Sequence, residues 1–155
     1  MEQLLYVANM GDNSISVINA DELRVTDTIK LEGCYSGIKK ISGHGDELLI
    51  SCIYDSSIIS INLKTGLKRK LHVCSYPSDI CLSEDYIYAA CADSNSVLML
   101  SSEGELIASL KCGVSPVSLC INESFLFCAH EISKELCIIS AEDLYLIDKI
   151  KLANT

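Results

Sequence analysis

Leu5-Tyr6-Val7-Ala8-Asn9 returns as Leu49-Ile50-Ser51-Cys52-Ile53, as Ile87-Tyr88-Ala89-Ala90-Cys91 and as Leu126-Phe127-Cys128-Ala129-His130. The steps between copies are 44, 38 and 39 residues (5 to 49, 49 to 87, 87 to 126). A period of this size marks stacked supersecondary units, none of which buries its own face alone. The repeat therefore decides the fold, and it leaves the chemistry to be found elsewhere.

Working outward from the motif, each unit resolves into short strands separated by polar turns. A second strand follows each copy: Ile15-Ser16-Val17-Ile18, Ile59-Ser60-Ile61-Asn62, Val97-Leu98-Met99-Leu100 and Leu136-Cys137-Ile138-Ile139. A third ends in Ile29-Lys30-Leu31, Leu71-His72-Val73, Leu110-Lys111-Cys112 and Ile150-Lys151-Leu152. Alternation of apolar and polar residues is the mark of strands with one wetter face. A strand preceding the motif occurs three times only, at Ile38 to Ser42, Asp79 to Ser83 and Val117 to Asn122. Asn, Asp, Ser and Gly fill the turns, as in Gly11-Asp12-Asn13, Asp93-Ser94-Asn95 and Lys64-Thr65-Gly66, because these residues shape or tolerate tight backbone. Asp21-Glu22-Leu23 and Ala141 to Leu144 offer at most single helical turns.

Four-stranded antiparallel units of about 40 residues are the blades of a β-propeller. The expected fold is all-β, a propeller of about four four-stranded blades in a single domain over 1–155. The blades run over about 4–31, 35–73, 76–112 and 115–152. Tyr6-Val7-Ala8-Asn9, Asp12 to Ile18 and Val25 to Leu31 resemble the YVTN-type β-propeller repeat, and the resemblance covers nearly the whole chain. It fades toward the fourth repeat, where Glu131 to Glu135 departs from the turn pattern. In that family the first strand of a blade often begins with Pro. Pro77 and Pro116 fit, and Ser36 takes the place in the first copy. The resemblance implies a fold and no single activity, since propellers host scaffolds, binders and enzymes.

The strand count is 3 + 4 + 4 + 4, so the first blade lacks its inner strand and the propeller reads as a half or a partial ring. Three arrangements are open: a part of a longer propeller, two copies forming a ring of about eight blades, or an array of four blades standing alone. Uncovered strand edges and blade faces invite association, which favours a homodimer or a partner half-propeller over a monomer.

The chain carries 12 Lys and Arg against 21 Asp and Glu, a net charge of −9. That charge speaks against nucleic acid and against an anionic membrane surface. Met1-Glu2-Gln3 runs into the first strand without the basic and apolar regions of a signal peptide. Nine cysteines without such a signal suit a reducing compartment, so a cytoplasmic location is expected.

Propeller geometry sorts the turns onto two faces. One face collects Asp46, Glu47, Glu84, Asp85 and Glu123 from the turns between strands 1 and 2. It also collects Asp21, Glu22, Glu103, Glu105, Glu142 and Asp143 from those between strands 3 and 4, so it holds eleven of the 21 acids. It reads as a solvated acidic face or as a docking surface for a basic protein partner, with weak calcium sites a lesser reading. The other face presents Tyr35, Tyr76, Asp12, Asp55 and Asp93, the ligand-binding candidates at a channel mouth, with Asn13, Asn95 and Lys134 beside them. Tyr35 and Tyr76 read as matching positions just before strand 1, and the aspartates as turn formers.

No C-x-x-C occurs, so neither a zinc knuckle nor a thioredoxin-like site is signalled. Cys52 reads as equivalent to Ala8, Ala90 and Ala129, and a Cys that trades with Ala fills a small packed slot. Structural free thiols are therefore expected, with disulfides or metal as lesser alternatives. His44, His72 and His130 fall in different elements, with no G-x-S-x-G elbow and no glycine-rich phosphate loop. No catalytic residue, no metal and no cofactor is expected. A non-enzymatic recognition module is the leading reading. A lactonase-like hydrolase, with its remaining blades on a second chain, is the alternative, and a redox- or metal-responsive protein built on the cysteines is a third.

Overall fold

The structure, a computed structural model, describes residues 3–31, 37–72 and 74–152. It contains fifteen strands and, among these residues, no helix. β1 (Leu4–Asn9), β2 (Ser14–Asn19) and β3 (Arg24–Lys30) form a three-stranded sheet. Three four-stranded sheets follow. The first holds β4 (Ile38–His44), β5 (Glu47–Cys52), β6 (Ser57–Asn62) and β7 (Lys68–His72). The second holds β8 (Pro77–Leu82), β9 (Tyr86–Cys91), β10 (Ser96–Ser101) and β11 (Leu106–Lys111). The last holds β12 (Pro116–Asn122), β13 (Phe125–His130), β14 (Glu135–Ser140) and β15 (Leu146–Lys151). Each sheet is an antiparallel meander. β4 packs on β8 and β8 on β12, so the inner strands of successive blades are neighbours. This is a partial β-propeller whose first blade has three strands.

Three apolar layers lie between the blades. Ile15, Leu31, Ile50 and Ile59 fill the first gap. Leu49, Ile58, Ile80, Ile87 and Leu98 fill the second. Tyr88, Val97, Met99, Leu126 and Ile139 fill the third, together with four cysteines. Neighbouring residues of one strand serve opposite layers, as strand alternation requires: Leu48 and Ile50 face blade 1, and Leu49 faces blade 3. Blades 2 and 3 are covered on both faces, which is why their second strands read as unbroken apolar runs, LLI and IYAA. The terminal blades are covered on one face only, and β1 leaves Leu5 55% and Val7 43% exposed.

The backbone repeats as faithfully as the side chains. Left-handed residues recur at Asn13, Ser56, Asn95 and Lys134 in the turn after the second strand, and at Leu23, Gly66, Gly104 and Leu144 in the turn after the third. Gly37, Tyr76 and Ser115 take that conformation just before the inner strands. The two segments expected to form helical turns are thus turns that close through Leu23 and Leu144, a conformation a helix cannot contain. A bulge falls at the same place in each inner strand, between Ile38 and Lys40, Pro77 and Asp79, and Pro116 and Ser118.

That bulge aligns Lys40, Asp79 and Ser118 around the axis. Asp79 is 3% exposed. Its Oδ2 accepts the Leu119 N–H of the next blade at 2.9 Å. Its Oδ1 accepts the Ile80 N–H at 2.8 Å and lies 3.3 Å from Lys40 Nζ of the preceding blade. Beside it, Ser78 Oγ donates to the Pro116 carbonyl at 2.6 Å. Removing one partner of a buried charged pair leaves the rest uncompensated. The Lys40 side chain is 45% exposed, which weakens the ionic share and leaves the buried N–H contact as the larger loss. Asp79→Ala is expected to destabilise the fold by about 3 kcal/mol, and Asp79→Asn by about 1 kcal/mol. Urea unfolding checks this through lower midpoints at an unchanged slope.

Candidate functional site

The strand register places the predicted channel-mouth residues. Asp12 accepts Ser14 Oγ at 2.6 Å, and Asp55 accepts Ser57 Oγ at 3.1 Å while pairing with Lys70 at 2.5 Å. In blade 3 the same i to i+2 contact joins Ser94 and Ser96 at 2.6 Å. Ser94 is therefore the equivalent of the first two aspartates, and Asp93 lies one residue earlier. Ile38 pairs with Cys52 as Pro77 pairs with Cys91, so Tyr76 matches Gly37 and Ser115, not Tyr35. Ile38, not Ser36, stands at the proline position. Tyr35 itself lies outside the described residues. Tyr76 is half-buried and its carbonyl accepts the Ala92 N–H at 3.0 Å. Asp12, Asp55 and Asp93 lie in separate blade turns, two of them committed to shaping those turns.

A wide opening lies on the other face, where the turns between strands 1 and 2 converge. A cleft of about 880 Å3 runs from His44 of blade 2 across blades 3 and 4. Its acids are Glu84, Asp85, Glu123 and Glu142, its aromatics are Tyr86, Tyr88, Phe125 and Tyr145, and no Lys or Arg lines it. Tyr145 is 55% and Phe125 42% exposed. Tyr88 is buried at the floor, where its hydroxyl donates to the Ala141 carbonyl at 2.6 Å and ties blade 3 to blade 4. Elsewhere on this face three acids are paired with cations: Lys64 binds Asp46 at 2.5 Å, and Arg69 holds Glu47 at 3.3 Å and also pairs with Glu103. The ion pairs of this face, with that of Arg24 and Glu22 on blade 1, thus lie outside the cleft among the described residues.

The cysteines depart from expectation in two ways. Cys74, in the loop entering blade 3, is bonded to Cys91 at the end of β9, with Cα atoms 6.0 Å apart. The register explains it. Cys52, Cys91 and His130 are equivalent, each ending its strand opposite the first residue of the inner strand. The alanine slot belongs to Ala8, Ser51, Ala90 and Ala129, so Cys52 does not trade with alanine. A disulfide is a bond of oxidising surroundings, which withdraws one support for a reducing compartment. Among the described residues no helix is long and apolar enough to cross a membrane.

Second, His130 lies among cysteines. Its Nε2 is 3.4 Å from Cys112 Sγ and 3.7 Å from Cys128 Sγ, while ligand atoms of Cys112, His130 and Cys137 all lie within 4.8 Å of one another. All four residues are 5% exposed or less. The Cys128 thiol donates to Cys112 and holds the Cys112 pKa well below that of an ordinary thiol, with His130 adding to the effect. Cys128 is pushed up in turn, by that same hydrogen bond and by burial. Burial raises Cys137 to about 12. On the axis, burial and then the Asp79 charge raise Cys81 to about 12. The histidines were expected to lie apart from any ligand set. Sequence spacing hides this one because Cys112 comes from blade 3 and the others from blade 4. The one local signal is Cys128-x-His130, two side chains on one face of a strand.

No family model and no curated protein matches the sequence. Solved structures do. The chain is similar to Kuenenia stuttgartiensis hydrazine synthase, with a TM-score of 0.84 and 16% identity over 94% of this chain and 45% of that one. It is similar to a chain of a mitotic checkpoint complex, with a TM-score of 0.83 and 10% identity over 96% and 47%. It also resembles the computationally designed Ika8 protein, with a TM-score of 0.80 and 12% identity over 99% and 48%. Identities this low carry the propeller-type fold alone, and the chain spans about half the length of the chains it matches.

Cys120 is the exposed free cysteine among the described residues. Limited alkylation of the native protein is expected to label Cys120 before Cys81, read by peptide mass mapping. In denaturant, the thiol count before reduction is expected to be two lower than after it, from the Cys74–Cys91 bond.

Proposed function

We propose that the protein is a non-enzymatic recognition module built of YVTN-type propeller repeats, and that its cleft across blades 3 and 4 holds a basic segment of a protein partner. The observation that carries this is the cleft's composition: four carboxylates and four aromatic rings with no cation among them. Carboxylates at a low-dielectric wall attract Lys and Arg, and exposed ring faces add cation–π contact of about 0.5–2 kcal/mol each. An oligo-arginine peptide serves as probe, with binding read by fluorescence anisotropy at several salt concentrations. Replacing Glu84, Asp85, Glu123 and Glu142 with their amides is expected to weaken binding at least tenfold. The same charge change at Asp21, Asp27, Glu131 and Asp148, all exposed and outside the cleft, is expected to weaken it less than threefold. Equal losses would reduce the attraction to net charge and sink the assignment.

A second reading rests on the uncovered flanks. Leu5 and Val7 on blade 1, and Ile147 and Ile150 on blade 4, are each 43–55% exposed, and the chain spans 45–48% of the propeller chains it matches. A second copy, blade 4 against blade 1 at both seams, would cover these faces with one kind of contact used twice. Light scattering on a sizing column is expected to give a species near twice 16.9 kDa, more stable in higher salt because each copy carries −9. Leu5→Glu is expected to return it to a folded monomer. A wild-type monomer at all concentrations would refute the pairing.

A further inference from the structure

The cross-strand pair Ile50 and Ile59 lies in the gap between blades 1 and 2, with Cys52 and Leu31 beside it. In the next gap the equivalent pair is Ala89 and Leu98, beside Cys91. In the third gap that pair is Cys128 and Cys137, and His130 takes the place of Cys91. Cys112, which follows β11, stands where Leu31 follows β3. One set of four structural positions is aliphatic with a single thiol in the first gap, and three thiols with an imidazole in the last.

The imidazole is not accounted for by packing. His130 is 2% exposed, and its Nδ1 has no hydrogen-bond partner among the described residues. Its Nε2 faces only the Cys112 and Cys128 sulfurs. Sulfur is a weak hydrogen-bond partner, and a buried polar ring without good partners costs free energy. The backbone fixes the ring where it is: a Cβ added at Gly113 would meet His130 Cγ and Cδ2 at 2.6 Å.

We propose that Cys112, Cys128, Cys137 and His130 form a closed tetrahedral zinc site that fastens blade 4 to blade 3. Three thiolates and one imidazole are a recognised structural zinc set, and its bond lengths imply sulfur–nitrogen edges of about 3.6 Å. The two sulfurs nearest Nε2 lie at 3.4 and 3.7 Å, on either side of that value. Cys137 lies farther out, within the 4.8 Å limit of the set. Closing by up to about 1 Å on Cys112 brings it to the sulfur–sulfur edge of about 3.8 Å, and Cys128, which lies outside that set of three, completes the tetrahedron by moving in with it. Binding transfers the thiol protons to solvent and leaves the centre with one net negative charge. Lys149 stands beside it: its Nζ, paired with Glu135 at 3.4 Å, donates to the Cys112 carbonyl, which also accepts the Cys137 thiol at 3.6 Å. The site is buried, so the ion enters as the two blades close on each other.

The test titrates the full reduced chain, freed of metal, with cobalt(II), a spectroscopic stand-in for zinc. One equivalent is expected to give intense sulfur-to-cobalt charge transfer and tetrahedral ligand-field bands, both erased by zinc. Zinc is expected to raise the thermal midpoint of the apo chain. His130→Cys is expected to keep tetrahedral binding with a spectrum shifted to that of four sulfurs, and Cys137→Ser to lose about a third of the charge-transfer intensity, one thiolate of three, while the far-ultraviolet sheet signal stays. A folded, reduced wild-type chain that shows no thiolate-to-cobalt band would overturn the site. So would a band that Cys137→Ser and His130→Cys leave unchanged, since the ion would then sit elsewhere.

Discussion

The Asp79 carboxylate is where three blades meet. It takes a backbone N–H from blade 4 and the Lys40 ammonium from blade 2, and belongs itself to blade 3. The apolar layers between blades are non-directional, so they hold blades together without fixing the angle at which one follows another. The fixed angle comes from directional contacts near the axis, Asp79 to Leu119 and Ser78 to Pro116, and both depend on the bulge that turns residues 78 and 79 inward. A bulge adds twist and re-aims side chains. Its recurrence in β4, β8 and β12 gives each inner strand the same bend.

The same bulge explains what could and could not be read from the sequence. The number of blades, their strands and the missing inner strand of blade 1 follow from period and alternation, which are set by local burial. The equivalence of single residues does not. An extra residue in each inner strand shifts the phase against the preceding loop, and a slip of one residue exchanges the two faces of a strand. Tyr35 falls two residues before Gly37, the equivalent of Tyr76, and Cys52 one residue beyond the alanine position. The repeating left-handed residues mark the true phase: Gly37, Tyr76 and Ser115 fall 39 residues apart. Only glycine reveals such a position in a sequence.

Sites between blades are harder still to read. The cleft acids are ordinary turn residues one at a time, and come together because three turns of two blades face one opening while the cations of the same face sit elsewhere. His130 and its three cysteines follow no ligand spacing, since a propeller brings together residues one blade apart. Asp12 and Asp55, which look like binding residues, are occupied with holding Ser14 and Ser57 in their turns.

Both sites lie on the interface of blades 3 and 4, at its opposite ends. Tyr88 bridges that interface at the cleft through the Ala141 carbonyl. Cys112, with its carbonyl held by Lys149, meets His130 at the other end. Blade 4 is a terminal blade, covered on one face, so its position depends on that single interface. Two fixed points at the ends and the Asp79 and Ser78 contacts at the axis leave it little freedom to rotate. Releasing the sulfur end would leave blade 4 free to pivot about Tyr88 and the axis. The separation of Glu84 and Asp85 from Glu123 and Glu142, which sets what the cleft can hold, would no longer have one value. The geometry of the cleft at one end of the interface therefore depends on order at the other.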